Sequence, residues 1–217
     1  WGYSVDYSGS ALDINIKHTP ATILQSSKQT LKGLVFGVDA GHGGSATGAV
    51  SPSGIQEKNL NLDMAYVLKD ELEKRGAKVV LSRKEDVDVA MLERVTTFRN
   101  ENIDLMVSIH CNAGGTPLKP MGTSTYYRHI EYRALAETIL KRLTEMNVVN
   151  FGLVGNFNFS LNAPSDFPTV LVETMFMSSL PDEEKIADPT FRKEMMLKVV
   201  KGLEDYIKLV KGEFKVK

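Results

Sequence analysis

The chain has 217 residues, 42% of them hydrophobic and 24% charged, a size and balance that suit one globular α/β domain. Its 26 basic and 27 acidic residues nearly cancel, so no cation excess exists to neutralise nucleic acid or an anionic membrane. The single cysteine, Cys111, excludes an internal disulfide and a cysteine-built metal site, and no apolar run reaches the roughly 18 residues of a spanning helix.

In chain order, Trp1, Tyr3, Val5 and Tyr7, then Leu12, Ile14 and Ile16, alternate with polar residues around a Ser-Gly-Ser turn, the pattern of a short β-hairpin. Residues 1–32 are read as this hairpin segment, an edge addition or the remnant of an upstream module, joined through a polar stretch over 25–32. The start at Trp1 rather than Met fits an excised or processed piece. Residues 33–217 form the main domain. An apolar strand is expected over 34–38, a helix over 59–75 stopped by Gly76, and a strand over 77–81. A helix over 89–100, strands over 103–109 and 123–127, a helix over 132–146, a strand over 168–172 and a helix over 191–210 follow. This alternation predicts an α/β fold: one mostly parallel, twisted sheet covered by helices on both faces, plus the hairpin appendage.

Three of these strands lead into residues foreign to an apolar core. The run 34–38 leads into Asp39 and His42, 103–109 into His110, and 168–172 into Glu173. Parallel strands end on one edge, and ligand sites form in the crevice outside it, so His42, His110 and Glu173 are expected to be neighbours. Glu173 is the most telling, because a carboxylate after an apolar strand is costly to bury unpaired. The glycine-rich stretch VDAGHGG does not read as a phosphate cradle, which would run directly into a helix; here a long loop intervenes. Glu57 stands at the start of the next helix, where a carboxylate also suits the positive helix end, and the loop returns it to the same edge. His42, His110 and Glu57 make two imidazoles and a carboxylate, the ligand number of a catalytic zinc site with a fourth position for water. Glu173 is then the proton carrier.

The segments VDAGHGG, GIQEKNLNLD, VVLSRKED, MLERVTTFRN, LMVSIHCNA and PTVLVETMF occur in the order seen in zinc-dependent N-acetylmuramoyl-L-alanine amidases. Over about residues 34–210 the chain resembles this amidase_3 type of peptidoglycan hydrolase. The resemblance implies one Zn2+ held by His42, Glu57 and His110, with Glu173 as the catalytic carboxylate. It implies hydrolysis of the amide joining N-acetylmuramic acid to L-alanine of the stem peptide, with peptidoglycan as partner, in the periplasm or cell wall. A monomer is expected. Arg83 and Arg94 match positions that the pattern keeps basic, and their expected role is an ion pair or hydrogen bonds to the strand-end loops.

The chain departs from the pattern at Phe151, where the family often has Arg, at Met175 and Ser179, and at Cys111. The stretch from Gly152 to Phe167 reads as a lengthened or shifted loop. These differences bear on stem-peptide preference, not on the metal site. Cys111 follows His110 on a strand and is expected to face the opposite way. Some relatives carry a helical insertion that covers the zinc until an activator removes it. Residues 112–121, with two glycines and two prolines, are too few for such a lid, so no activator is expected. Two other readings use the same residues: a zinc carboxypeptidase-type metallopeptidase, and a catalytically silent wall-binding module.

Overall fold

The computed structural model describes residues 1–25 and 30–212. Residues 26–29 of the expected join and 213–217 of the main region lie outside the described residues. The hairpin is as expected: β1 (Gly2–Ser8) pairs antiparallel with β2 (Ala11–Lys17) as a separate two-stranded sheet. A short helix, α1 (Ala21–Gln25), follows and buries only Ile23.

The main sheet has six strands in the order β4-β3-β5-β8-β6-β7, where β3 is Val35–Ala40, β4 Lys78–Leu81, β5 Leu105–Asn112, β6 Thr123–Tyr126, β7 Asn150–Val154 and β8 Thr169–Phe176. Strands β4, β3, β5 and β8 run parallel; β6 pairs antiparallel with β8 and parallel with β7. The sheet is thus parallel in its first four strands, and its last two run the other way. β7 occupies the start of the stretch read as a loop: Asn150–Val154 adds to the edge of β6, and its turn-rich composition hides a five-residue strand.

Helices α2 (Glu57–Glu73), α4 (Arg133–Thr144) and α6 (Pro189–Val210) pack on one face. There Leu60, Met64, Leu68 and Leu72 of α2 recur at helical spacing and share one core with Phe36, Val38, Leu105, Val107, Val170 and Val172 of the sheet. α6 begins at Pro189, and the Asp188 carboxylate accepts from the Thr190 amide as its cap. The other face is thinner. α3 (Met91–Asn100) contributes Val95 and Phe98, which pack with Ile103, Met106, Leu161 and Phe167. α5 (Leu180–Ala187), which has no counterpart among the expected elements, links β8 to α6.

Strands β5 and β8 run past their expected ends. β8 is flanked by β5 and β6, and all eight of its residues are buried, so its ladder continues through Glu173 to Phe176. His110 and Glu173 therefore sit within paired strand, directly opposite each other in register, rather than on loops beyond it.

Candidate metal centre

The structure brings three of the four sequence-selected groups into one cluster. His42, Glu57 and His110 each offer a ligand atom, all within 4.8 Å of one another. Glu57 Oε2 lies 3.2 Å from His42 Nε2, and Glu57 Oε1 lies 3.1 Å from His110 Nδ1. The two imidazoles meet edge to face, their centroids 5.0 Å apart. Glu57 is the first residue of α2, and the Ala49 amide donates to its Oε2 while the Cys111 amide donates to its Oε1. Burial alone would raise its pKa, but bonds from His110, His42 and the Ala49 amide outweigh that and hold it well below the carboxylate range. The pKa of His110 is raised: burial opposes its charging, and Glu57, Glu173 and Asp39 overcome that.

Backbone shape makes room for these groups. A Cβ on Gly41 would come within 2.3 Å of the His110 ring, and one on Gly48, at φ +67°, within 2.4 Å of Glu57 Oε2. The glycines around His42 thus admit an imidazole and a carboxylate where a side chain would exclude both. His42 itself takes φ +62°, a strained conformation for a non-glycine residue that persists only when its surroundings fix it.

Two buried arginines do the fixing, in the role the sequence assigned them. Arg94 pairs with Asp39 at 2.7 Å and donates to the carbonyls of Ala40 and His42. Arg83 donates to the carbonyls of Ala40, Gly41 and Lys58, tying the His42 loop to the start of α2. Asp39 is fully buried. Desolvation pushes its pKa up, but Arg94, His110 and the hydroxyls of Ser108 and Ser82 bring it below the usual value.

Glu173 lines the same cavity of about 440 Å³ as His42, Glu57 and His110. Met91, Phe159 and Leu161 form an apolar part of the lining. Glu173 is 8% exposed, and its Oε2 is buried without a hydrogen-bond partner. Burial pushes its pKa up to about 7, with Glu57 adding to the rise and His110 opposing it. Cys111 is buried against Thr174, and burial holds its thiol protonated, which removes it as a nucleophile. Sequence reasoning missed Asn61, fully buried one turn after Glu57, whose amide donates to Oε1 of that carboxylate. A polar residue in the buried stripe of α2 was the available signal.

Residues 37–205 match the Amidase_3 family, described as N-acetylmuramoyl-L-alanine amidase. The chain belongs to that family. It is similar to the N-acetylmuramoyl-L-alanine amidase AmiC of Neisseria meningitidis, with 28% identity over 80% of this chain and 52% of that protein. LytC, an amidase of Bacillus subtilis, is 31% identical over 88% of this chain and 40% of its own length. The chain thus spans about half or less of these two relatives. A crystal structure of an N-acetylmuramoyl-L-alanine amidase from Clostridium difficile 630 superposes with a TM-score of 0.76 at 29% identity, covering 81% of this chain and 97% of that one. The fold is shared also with the CwlD amidase of Clostridioides difficile, solved in complex with the GerS lipoprotein (TM-score 0.75, 23% identity).

Proposed function

We propose that the protein hydrolyses the amide between N-acetylmuramic acid and L-alanine in peptidoglycan, at a zinc site held by His42, Glu57 and His110, with Glu173 as proton carrier. The observation that carries this reading is the buried, unpartnered Glu173 Oε2 in the cavity lined by the three clustered donors. The donor set fits zinc, being two imidazoles and one carboxylate whose ligand atoms lie within 4.8 Å of one another. When bound, zinc supplies Lewis acidity, which acidifies water and polarises an amide carbonyl.

The chain's own residues supply the rest. Glu173 Oε2 takes a proton from the attacking water and returns it to the departing amine nitrogen, both roles of one carboxylate. A pKa near neutrality suits that exchange, because both protonation states are then accessible. Glu57, anchored by the Ala49 and Cys111 amides, keeps its charge and its orientation. The apolar lining from Met91, Phe159 and Leu161 limits water around the reacting amide.

Residues 1–32 are assigned to an N-terminal segment that carries the hairpin, and residues 33–217 to the catalytic domain. Action outside the cytoplasmic membrane, in the periplasm or cell wall, follows from the substrate; among the described residues no helix is long and apolar enough to cross a membrane. The protein works as a monomer without an activator. In support, the connection 113–122 between β5 and β6 holds no helix among the described residues, and only Ala113 of it lines the cavity.

The test is digestion of purified sacculi by the protein alone, with mass spectrometry of the products. Stem peptides beginning with a free L-alanine amine, lost on chelation and regained with zinc, are expected. Trimming at the peptide's carboxyl end would instead make it a carboxypeptidase. Binding without cleavage would make it a wall-binding module, and cleavage only after a second protein is added would end the activator-free reading.

A further inference from the structure

Asn61 sits on the second turn of α2, four residues after Glu57, and is fully buried. Its Nδ2 donates to Glu57 Oε1 at 3.1 Å and to the Gly41 carbonyl at 3.2 Å. Its Oδ1 faces the Cys111 thiol at 3.6 Å. That thiol lies 3.2 Å from Thr174 Oγ1, whose hydroxyl donates to the His110 carbonyl. Only one orientation of the amide satisfies this set. Turned over, Asn61 would aim its oxygen at a carboxylate and a carbonyl and leave the thiol facing an NH2 group.

Resting on the ligand reading above, we propose that Asn61 is a positioning residue for the metal centre. Its two N–H groups lock Glu57 Oε1 to the carbonyl that precedes His42, while the Cys111 thiol, donating to Oδ1, ties the same amide to the residue that follows His110 on β5. One buried side chain thus links all three ligands, which stand on a loop, a helix and a strand. Each of the other bonds to Glu57 anchors it to one segment: the Ala49 amide to the loop and the Cys111 amide to β5. Side chains of this kind fix the orientation of a metal-bound carboxylate, and their loss weakens metal affinity roughly 10- to 100-fold.

The experiment compares wild type, Asn61→Leu and Glu57→Ala by zinc titration against a competing chelator. The absorption spectrum of each protein with Co2+ in place of zinc is recorded alongside. Asn61→Leu keeps the branching and heavy-atom count of the side chain and removes both donors. Its zinc Kd is expected to weaken about 10- to 100-fold, with an altered cobalt spectrum, while Glu57→Ala loses more. A purely structural role would lower the melting temperature of the metal-free protein and leave zinc Kd and cobalt spectrum unchanged. That result, with Glu57→Ala impaired, overturns the positioning role and spares the ligand reading. Wild-type affinity in Glu57→Ala overturns both. Should Asn61→Leu fail to fold, Asn61→Ser, which also cannot span the two acceptors, carries the same comparison.

Discussion

The edge formed by β3, β5 and β8 and the N-terminal hairpin are opposite solutions to placing polar and apolar groups. At the edge, Asp39, Glu57, Asn61, Arg83 and Arg94 are buried, and each is held by several hydrogen bonds. In the hairpin the relation is inverted. Val5, Tyr7, Leu12, Ile14 and Ile16 are exposed, with Tyr3 at the margin, and the register places all six on one face. The hairpin is attached at one end, where the Trp1 indole donates to the Asp104 carbonyl and the Tyr3 amide to the Ser165 carbonyl. Buried polar groups make a region intolerant of change, because each loss strands a partner; exposed apolar groups leave it tolerant.

The sharpest way to test that contrast is at the proposed catalytic centre. Glu173→Gln keeps the shape of the side chain and removes its capacity to carry a proton. Turnover of peptidoglycan is expected to fall by about 10²- to 10⁴-fold, the worth of a positioned acid-base group, with zinc content unchanged. His42→Ala and His110→Ala are expected to lose the metal, measured by elemental analysis, and activity with it. Full zinc occupancy in either histidine variant would remove that residue from the ligand set.

Next in size is Arg94→Met, which leaves Asp39 buried without its cation and is expected to cost about 3–5 kcal/mol of folding stability. Its pH dependence has an opposite sign in the two proteins. In wild type the Asp39 pKa lies below its usual 3.8, so its contribution is complete above that value and is lost as pH falls through the lowered pKa. Without Arg94, desolvation dominates and the pKa rises above 3.8, so the variant loses stability as pH rises. Denaturant unfolding at pH 5 and pH 8 separates the two. A variant no more sensitive to alkali than wild type would show that His110, Ser108 and Ser82 suffice to hold the charge.

What the sequence made legible follows the same division. The parallel strands β3, β5 and β8 were readable because burial on both faces leaves unbroken apolar runs, and a His or Glu ending such a run stands out. Glu57 and the arginines were readable once their segments could be placed on one edge. β7 was not, since an edge strand of five residues with Gly152 at its centre carries no apolar run. The antiparallel turn of β6 was equally hidden, because strand direction depends on the path of the connection rather than on composition. Asn61 was legible only as a polar residue beside the apolar stripe of α2, and the fold alone shows what that face meets. Gly41 and Gly48 read as loop formers, whereas their steric role depends on which side chains arrive opposite them.

The smallest expected effects lie in the hairpin, where they are still informative. Tyr7 is 83% exposed and Ile16 72%, and Tyr7→Ser and Ile16→Ser are each expected to change stability by no more than about 0.5 kcal/mol, with kcat unaltered. Each side chain gives up little buried area, and neither has a side-chain hydrogen-bond partner among the described residues. Six apolar residues on one face of a two-stranded sheet nonetheless form a surface that water disfavours, and an isolated two-stranded sheet is marginal. A loss above about 1 kcal/mol in either variant would therefore mean that the face is covered in solution. The hairpin would then be as constrained as the edge that carries the proposed metal site, and the contrast between the two regions would fail.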